Sequence, residues 1–153
     1  MITSPYRVRT TVLTAVVTAA LMATVPAATA SPSVDARARN CVPNPGGGCK
    51  RSVVVEYWHE QGASQRGIGW VYASKKPARR GAVYYARWTY KAPGKAWKNG
   101  AGWKKANVTQ GSNGSFAAVW WGRGGHTGPL VPKGTQVCTR YKDERTSTCL
   151  TLK

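Results

Sequence analysis

The sequence has very few acidic residues. Only five of its 153 residues are Asp or Glu, against 23 Lys and Arg, and the formal net charge is +18 at pH 7. No two of these carboxylates stand in an arrangement typical of the paired acids of a glycosidase. Glycoside hydrolysis is therefore not predicted from the full acidic set, which is Asp35, Glu56, Glu60, Asp143 and Glu144.

Motifs for metals and nucleotide cofactors are also missing. The chain has two His and four Cys, and no two cysteines form a Cys-x-x-Cys pair, so a zinc site is not expected. No phosphate-binding loop, Rossmann fingerprint or Gly-x-Ser-x-Gly elbow occurs. Zinc-finger spacing, RNA-binding signatures and recognition-helix patterns are absent as well. The sequence predicts no cofactor and no metal.

The first thirty residues have the composition of a secretory signal peptide. Arg7 and Arg9 precede an uncharged apolar run, residues 11–25, and Ala28-Thr29-Ala30 has the small-x-small pattern of a cleavage site. The run is about 15 residues long, short of the roughly 20 that a spanning helix needs. We therefore predict a cleaved signal peptide at residues 1–30 and a secreted, extracellular protein that begins at Ser31. No transmembrane span is expected after cleavage.

Four cysteines follow the predicted cleavage site, and an even number of cysteines in an exported chain is typical of disulfides. Three pairings are possible. The local one, Cys41 with Cys49 and Cys138 with Cys149, is favoured because each pair brackets its own turn. With all four cysteines paired, no free thiol is left to act as a nucleophile.

Short alternating apolar runs, interrupted by glycine and proline, indicate an all-β fold. About seven or eight short strands are expected, in a small disulfide-stabilised β-sandwich or closed β-barrel. Asn99-Gly100 predicts a tight hairpin between residues 96–98 and 102–105. The other predicted strands are residues 52–58, 67–73, 82–90, 116–121, 135–141 and 147–152.

The chain without its signal peptide is long enough for one domain. Residues 31–51 are expected to form an N-terminal irregular segment, with a mobile start and the Cys41–Cys49 loop. Residues 52–153 are expected to form a single all-β domain, because no linker or low-complexity tail interrupts them.

The charge of the predicted secreted part points to an anionic partner. Only Arg7 and Arg9 precede residue 31 while all five acids follow it, so the formal charge of residues 31–153 is +16. No fold requires this excess, which costs self-repulsion and attracts anions. The predicted partners are anionic cell-envelope polymers or lipid head groups; nonspecific nucleic acid, a protein partner or a plainly solvated surface stay open. Antimicrobial action is a further hypothesis.

Aromatic residues stand beside many of the basic ones. The chain has seven Trp and seven Tyr but one Phe. Exposed rings of this kind can stack on a ligand while neighbouring cations hold its phosphate or carboxylate, although core packing explains Trp97 and Trp103 equally well. Lys75, Lys76, Arg79 and Arg80 are expected to be exposed. The predicted ligand-binding residues are Lys75, Lys76, Arg79, Arg80, Arg87, Trp97, Lys98, Trp103, Lys104 and Lys105.

A secreted basic ribonuclease-like hydrolase is the main alternative. An imidazole and a carboxylate stand together at a predicted strand end, and a second His lies in a glycine-rich loop. General acid–base cleavage of RNA requires such groups to converge on one phosphate, whereas the plain interpretation is ordinary polar residues at the end of a strand. The candidate catalytic residues are Glu56, His59, Glu60, Arg66 and His126.

A small protease inhibitor or protein-binding module is a further alternative. Residues 128–133 are a candidate exposed loop close to Cys138. Nothing in them identifies a reactive bond, and an ordinary connection between strands explains them as well.

Overall fold

A computed structural model describes residues 33–112 and 114–153. These residues belong to the second of two compact units into which the chain divides, residues 31–153. The predicted signal peptide and its cleavage site lie outside the described residues. Throughout the described ranges the regular structure is β-strand, and they contain no helix that could span a membrane.

Ten strands follow one another in the described part of the chain, more than the seven or eight expected. Valine, tyrosine and tryptophan are frequent in them, as is typical of pleated, half-buried surfaces. Glycines at positive φ mark several of the turns between them, among them Gly62 at 78° and Gly94 at 67°. The strands are β1 Ser33–Pro43, β2 Cys49–Glu60, β3 Gln65–Lys75, β4 Tyr85–Lys91, β5 Lys98–Lys105, β6 Asn107–Gly111, β7 Gly114–Gly122, β8 Leu130–Pro132, β9 Gln136–Tyr141 and β10 Thr148–Thr151.

The strands form two antiparallel sheets. The larger sheet has the order β1-β2-β3-β7-β6, and β8 pairs with residues 65–67 at the start of β3. The smaller sheet has the order β10-β9-β4-β5. The fold is therefore all-β with two sheets and two disulfides, and the all-β class and both disulfides agree with the prediction from the sequence.

Both sheets contribute side chains to one hydrophobic core. On β2, Val53 and Val55 are fully buried and Tyr57 nearly so, which confirms the predicted alternation along this strand. Trp88 of the smaller sheet and Trp121 of the larger one also lie in this core. Burial of each large apolar side chain contributes about 1.5–3 kcal/mol, so the alternating positions fix which face of each sheet points inward.

Tyr141 joins the two sheets through its hydroxyl group. The hydroxyl donates to the backbone carbonyl oxygens of Ala73 on β3 and Ala117 on β7, at 3.1 and 2.9 Å. Burial of the phenol, which is 2 % exposed, raises the pKa of Tyr141 above its usual range because the charged form would lose its solvation. The phenol therefore stays neutral and remains a donor at physiological pH.

The prediction of an irregular N-terminal segment is wrong for residues 33–43. This part forms β1, an edge strand that pairs with β2 from Ser33 opposite Glu60 to Pro43 opposite Cys49. Ala36 and Ala38 of β1 pack against the core. The small side chains of β1 gave little apolar signal, whereas its backbone completes hydrogen bonds along β2.

The predicted hairpin at Asn99-Gly100 is also wrong, because both residues lie inside the single strand β5. The chain turns earlier, between β4 and β5, at Pro93-Gly94. Gly100 faces the ring of Trp88, where a Cβ atom would overlap the indole. The glycine therefore permits close packing on a core tryptophan rather than a turn.

The two disulfides follow the local pairing that the sequence favoured, Cys41–Cys49 and Cys138–Cys149. The first joins β1 to β2 across the Pro- and Gly-rich loop between them. The second joins directly opposite residues of β9 and β10. Each bridge thus connects adjacent strands of one sheet.

Candidate functional site

Lys75 is the first of the predicted ligand-binding residues, and the structure corrects the expectation that it is exposed. Lys75 is only 9 % exposed, and its ammonium group forms ion pairs with Asp143 and with Glu144, the latter at 2.9 Å. Arg51 of β2 pairs with the same Glu144 at 3.2 Å and donates to Thr146 at 2.8 and 2.9 Å. We call Arg51, Lys75, Asp143 and Glu144 the paired cluster.

The paired cluster keeps Lys75 charged. Burial by itself would lower the pKa of Lys75, but the hydrogen bonds and negative charges of Asp143 and Glu144 outweigh it, and the pKa is raised. The turn between β9 and β10 thus brings its two acids to two cations of the larger sheet, rather than to the flanking Lys142 and Arg145. Lys75 is a stabilising residue that a ligand does not reach.

The other residues of the basic segment are more accessible. Arg79 and Arg80 are exposed, and Lys76 is partly exposed with its ammonium 5.6 Å from the centre of the Phe116 ring. Within the described ranges none of the three forms an ion pair. They contribute positive charge to the surface without a defined arrangement around a common point.

Trp97 and Trp103 are both exposed, at 50 % and 40 %, although they do not lie on the predicted hairpin. Trp97 precedes β5 and has the ammonium of Lys91 at 6.0 Å from its ring centre. Trp103 lies within β5 on the outer side of the smaller sheet. Of the two interpretations that the sequence left open, core packing therefore fails for both side chains.

Trp103 has two arginines on its ring. The guanidinium carbon of Arg87 lies 4.8 Å from the ring centre, and that of Arg140 lies 5.6 Å from it. These arginines come from adjacent strands, β4 and β9, where they are direct cross-strand partners. We call Arg87, Trp103 and Arg140 the arginine–tryptophan cluster.

The arginine–tryptophan cluster is positively charged and has no carboxylate partner among the described residues. Like charges directly opposite each other destabilise a pair of strands, and the ring face of Trp103 offsets this repulsion only in part. Moreover, Arg140 Nε is buried and finds no acceptor in the described part of the protein. An anion bound beside the two guanidinium groups would compensate their charge.

The three predicted ligand-binding lysines of β5 lie on the same strand as Trp103 but are not members of the cluster. Lys98 and Lys105 are exposed at the two ends of the strand, and Lys104 donates to the backbone oxygen of Trp120 at 2.8 Å. Lys104 is thereby tied to the larger sheet. Lys98 and Lys105 add positive charge along the edge of the smaller sheet.

Arg140 is the member of the cluster that sequence reasoning missed. It lies far from Arg87 in the chain, and it becomes a neighbour only through the register of β4 with β9. The available signal was its position on a predicted strand, one residue before Tyr141, which faces the core. Alternation would have placed Arg140 on the outer face, but not opposite Arg87.

The candidate catalytic residues do not converge. Arg66 is 5 % exposed and donates to the backbone oxygens of Lys153, Ala63 and Gln65 at 2.6 to 2.8 Å, so its guanidinium is occupied. Glu56 pairs with Arg37. The hydrolase hypothesis requires Arg66 to bind a phosphate and Glu56 to act as a free base. Neither side chain is free to do so.

The two histidines lie on opposite faces of β2. His59 follows Tyr57, whose side chain faces the core, and their rings stack at 6.4 Å. His126 stacks on Trp58 at 4.5 Å, on the other face, and pairs with Asp35 at 2.8 Å. Glu60, exposed, forms no ion pair in the described ranges. The five residues therefore do not form one site.

Residues 128–133 are largely exposed, at Pro129, Leu130, Pro132 and Lys133, but they are not a loop throughout. Leu130–Pro132 is β8, which pairs with β3, and Val131 is 3 % exposed within the core. The residues that the structure describes also contain no group of His, Cys, Asp or Glu side chains that could hold a metal ion. Comparison of the chain with protein-family models, with curated proteins and with solved structures finds no match.

Proposed function

We propose that this protein is a secreted binding protein for anionic polymers of cell envelopes, or for anionic membrane surfaces, and that the arginine–tryptophan cluster is a principal contact. The observation that carries the proposal is the direct pairing of Arg87 with Arg140 beneath one exposed indole, with no carboxylate to neutralise them. Guanidinium groups bind phosphate and carboxylate through paired hydrogen bonds, so an anionic group is the natural ligand of this arrangement.

The rest of the surface supports the same proposal. Of the 21 Lys and Arg residues after residue 30, only Arg37, Arg51 and Lys75 form ion pairs in the described ranges. The remaining cations raise the local concentration of a polyanion and speed its association. Two disulfides in a small all-β protein are consistent with an extracellular location, and two sheets around one core favour a sandwich over a closed barrel.

The proposal is tested by binding of the oxidised protein to polyphosphate of defined chain length over a salt series. Wild-type protein should bind with an affinity that falls steeply as salt is raised. The Arg87→Gln/Arg140→Gln variant should bind more weakly, and the slope of log affinity against log salt should fall by about two because two phosphate contacts are lost.

The matched control is Arg79→Gln/Arg80→Gln, which removes the same charge from exposed positions whose guanidinium groups lie over no aromatic ring in the described ranges. A smaller loss in this control supports the cluster as the site, whereas equal losses would show diffuse attraction. Anionic vesicles and RNA are assayed in parallel. Failure of the wild-type protein to bind any of the three would overturn the proposal, and cleavage of the RNA would revive the hydrolase hypothesis.

A further inference from the structure

The outer side of the larger sheet carries a second group of aromatic side chains. Val71 and Ala73 of β3 point into the core, so the intervening Trp70 and Tyr72 lie on the opposite side. Trp120 and Phe116 of β7 lie on this side too, since Ala117, Val119 and Trp121 face the core. We call Trp70, Tyr72, Phe116 and Trp120 the aromatic face.

The register of the sheet arranges these rings in a row with a cation at its end. Tyr72 is the direct partner of Trp120 on one side and of Val54 on the other. Val54 in turn lies opposite Arg39 on β1. The row therefore crosses four strands, from an exposed arginine at the sheet edge to an indole that is 50 % exposed.

Two shallow hollows lie along the aromatic face and share Tyr72. The first has a volume of about 390 Å³ and is lined by Trp70, Tyr72, Trp120, Gly122 and Arg123. The second has a volume of about 460 Å³ and extends from Tyr72 past Phe116 and Lys76 to Arg39. Together they form a groove long enough for a chain molecule rather than a single closed pocket for a small ligand.

Cations already cover two of the rings and leave the other two open. Arg37 lies 5.7 Å from the ring centre of Trp70, and Lys76 lies 5.6 Å from that of Phe116. In the described ranges no cation lies over Tyr72 or Trp120. The faces of these two rings remain available for stacking against a ligand.

Gly122 lets the end of β7 approach β3 closely beside the first hollow. Its φ of 88° favours glycine, and a Cβ atom there would run into the backbone of Gly69 and Trp70. Without a side chain at this position, Trp70 and Trp120 border the same space, with Arg123 at its rim.

The chemistry of the groove fits a sugar chain that carries carboxylates. The C–H side of a sugar ring stacks on an aromatic ring, while Arg39 and Arg123 can hold a carboxylate because neither has an acidic partner in the described part of the chain. Glu56 and Asp35, on the same side, are already paired with Arg37 and His126. A lipid surface fits less well, because cations already lie over the rings of Trp70 and Phe116, and only Trp120 and Leu130 are strongly exposed large apolar side chains on this side of the larger sheet in the described ranges.

We infer that the aromatic face binds the sugar rings of an acidic polysaccharide, with Tyr72 and Trp120 stacking on the rings and Arg39 and Arg123 pairing with the carboxylates. This surface belongs to the other sheet from the arginine–tryptophan cluster. The inference therefore does not depend on the proposed function, and either one can fail without the other.

The test compares two exposed aromatic residues in the full oxidised chain. Trp120→Ala removes the ring from the aromatic face, where Trp120 is 50 % exposed, and Tyr85→Ala removes a ring that is 40 % exposed on the smaller sheet. The probes are an oligogalacturonate of defined length, a neutral galactose oligomer of the same length, and polyphosphate. Trp120→Ala should weaken oligogalacturonate binding by about tenfold or more, with Tyr85→Ala close to wild type, and should leave polyphosphate binding unchanged.

Arg123→Gln, an exposed substitution outside the strands, provides a second variant. It should weaken binding of oligogalacturonate and should not affect the weaker binding of the neutral oligomer. Thermal unfolding of each variant shows that the fold is retained. Equal effects of Trp120→Ala and Tyr85→Ala, equal loss of polyphosphate binding, or a loss on anionic vesicles without a loss on oligogalacturonate would each overturn the inference.

Discussion

Arg51 and Lys75 lie against two carboxylates, whereas Arg87 and Arg140 lie against an indole and no carboxylate in the described ranges. The chain has only five acids. Two of them, Asp143 and Glu144, are used at the paired cluster, which lies at the end of β3 beside the turn from β9 to β10.

The paired cluster and the arginine–tryptophan cluster differ in how their positive charges are compensated. A cation taken out of water needs a partner within the protein, and the paired cluster supplies one. A cation at the surface that faces another cation has no such compensation, and the fold gains nothing from it. We propose that an external anion supplies this compensation at the arginine–tryptophan cluster.

The largest effect is expected from removing the charge of Glu144, the acid that pairs with both Arg51 and Lys75 in the paired cluster. Glu144→Gln leaves Arg51 without its carboxylate and Lys75 with Asp143 alone. We expect the free energy of unfolding to fall by about 3 kcal/mol, because half-buried charges lose their partner. Urea denaturation at neutral pH measures this change in the free energy of unfolding.

Glu60→Gln is the control, since Glu60 is exposed and forms no ion pair among the described residues. It should change the free energy of unfolding by less than about 0.5 kcal/mol. Equal effects of the two substitutions would mean that the paired cluster does not stabilise the fold.

Alkaline pH should distinguish the paired cluster from the arginine–tryptophan cluster without a mutation. The raised pKa of Lys75 means that its ion pairs stabilise the fold fully below its usual value of 10.5, and that this contribution is lost as the pH rises through the higher folded value. Tyr141 acts in the same direction, because its phenol ionises near pH 10 only in the unfolded chain.

We therefore expect the free energy of unfolding to fall above about pH 10, by roughly 1.4 kcal/mol per pH unit for each proton involved. Polyphosphate binding by the folded protein should persist over the same range. Tyr141→Phe should be less stable at neutral pH by about 1–2 kcal/mol and should show a flatter decline above pH 10. An unchanged decline in this variant would assign the alkaline effect to Lys75 alone.

The smallest effect is expected from the unpaired arginines. Arg140→Gln removes the repulsion from Arg87 and should leave the free energy of unfolding unchanged or raise it by about 0.5 kcal/mol. Arg145→Gln, which removes an exposed charge outside the cluster, serves as the control. A loss of more than about 1 kcal/mol for Arg140→Gln would instead make the stacked guanidinium a structural element.

Local patterns predicted the parts of the fold that depend on local contacts. The alternation of Val53, Val55 and Tyr57 identified the buried face of β2, and the turns between nearby cysteines identified both disulfides. Asn99-Gly100 misled because the need for space beside Trp88 explains a glycine as well as a turn does. A single sequence does not distinguish these two reasons.

The candidate site was less predictable because it depends on register. Lys75 appears in a basic run with Lys76, Arg79 and Arg80, and only the distant turn at residues 143–144 makes it different from them. Arg140 has no basic or aromatic neighbour that distinguishes it except Tyr141, which faces the core. Contacts between strands that are far apart in the sequence determine the roles of Lys75 and Arg140.

β5 is the last strand of the smaller sheet, so one side of its backbone has no neighbouring strand. An open edge of this kind is a template for pairing with another copy of the same chain. Lys98 and Lys105 lie exposed along it, and two copies that approached edge to edge would bring their lysines together. This positive charge opposes pairing of two such edges, and a bound polymer that neutralised it would lower the barrier to self-association.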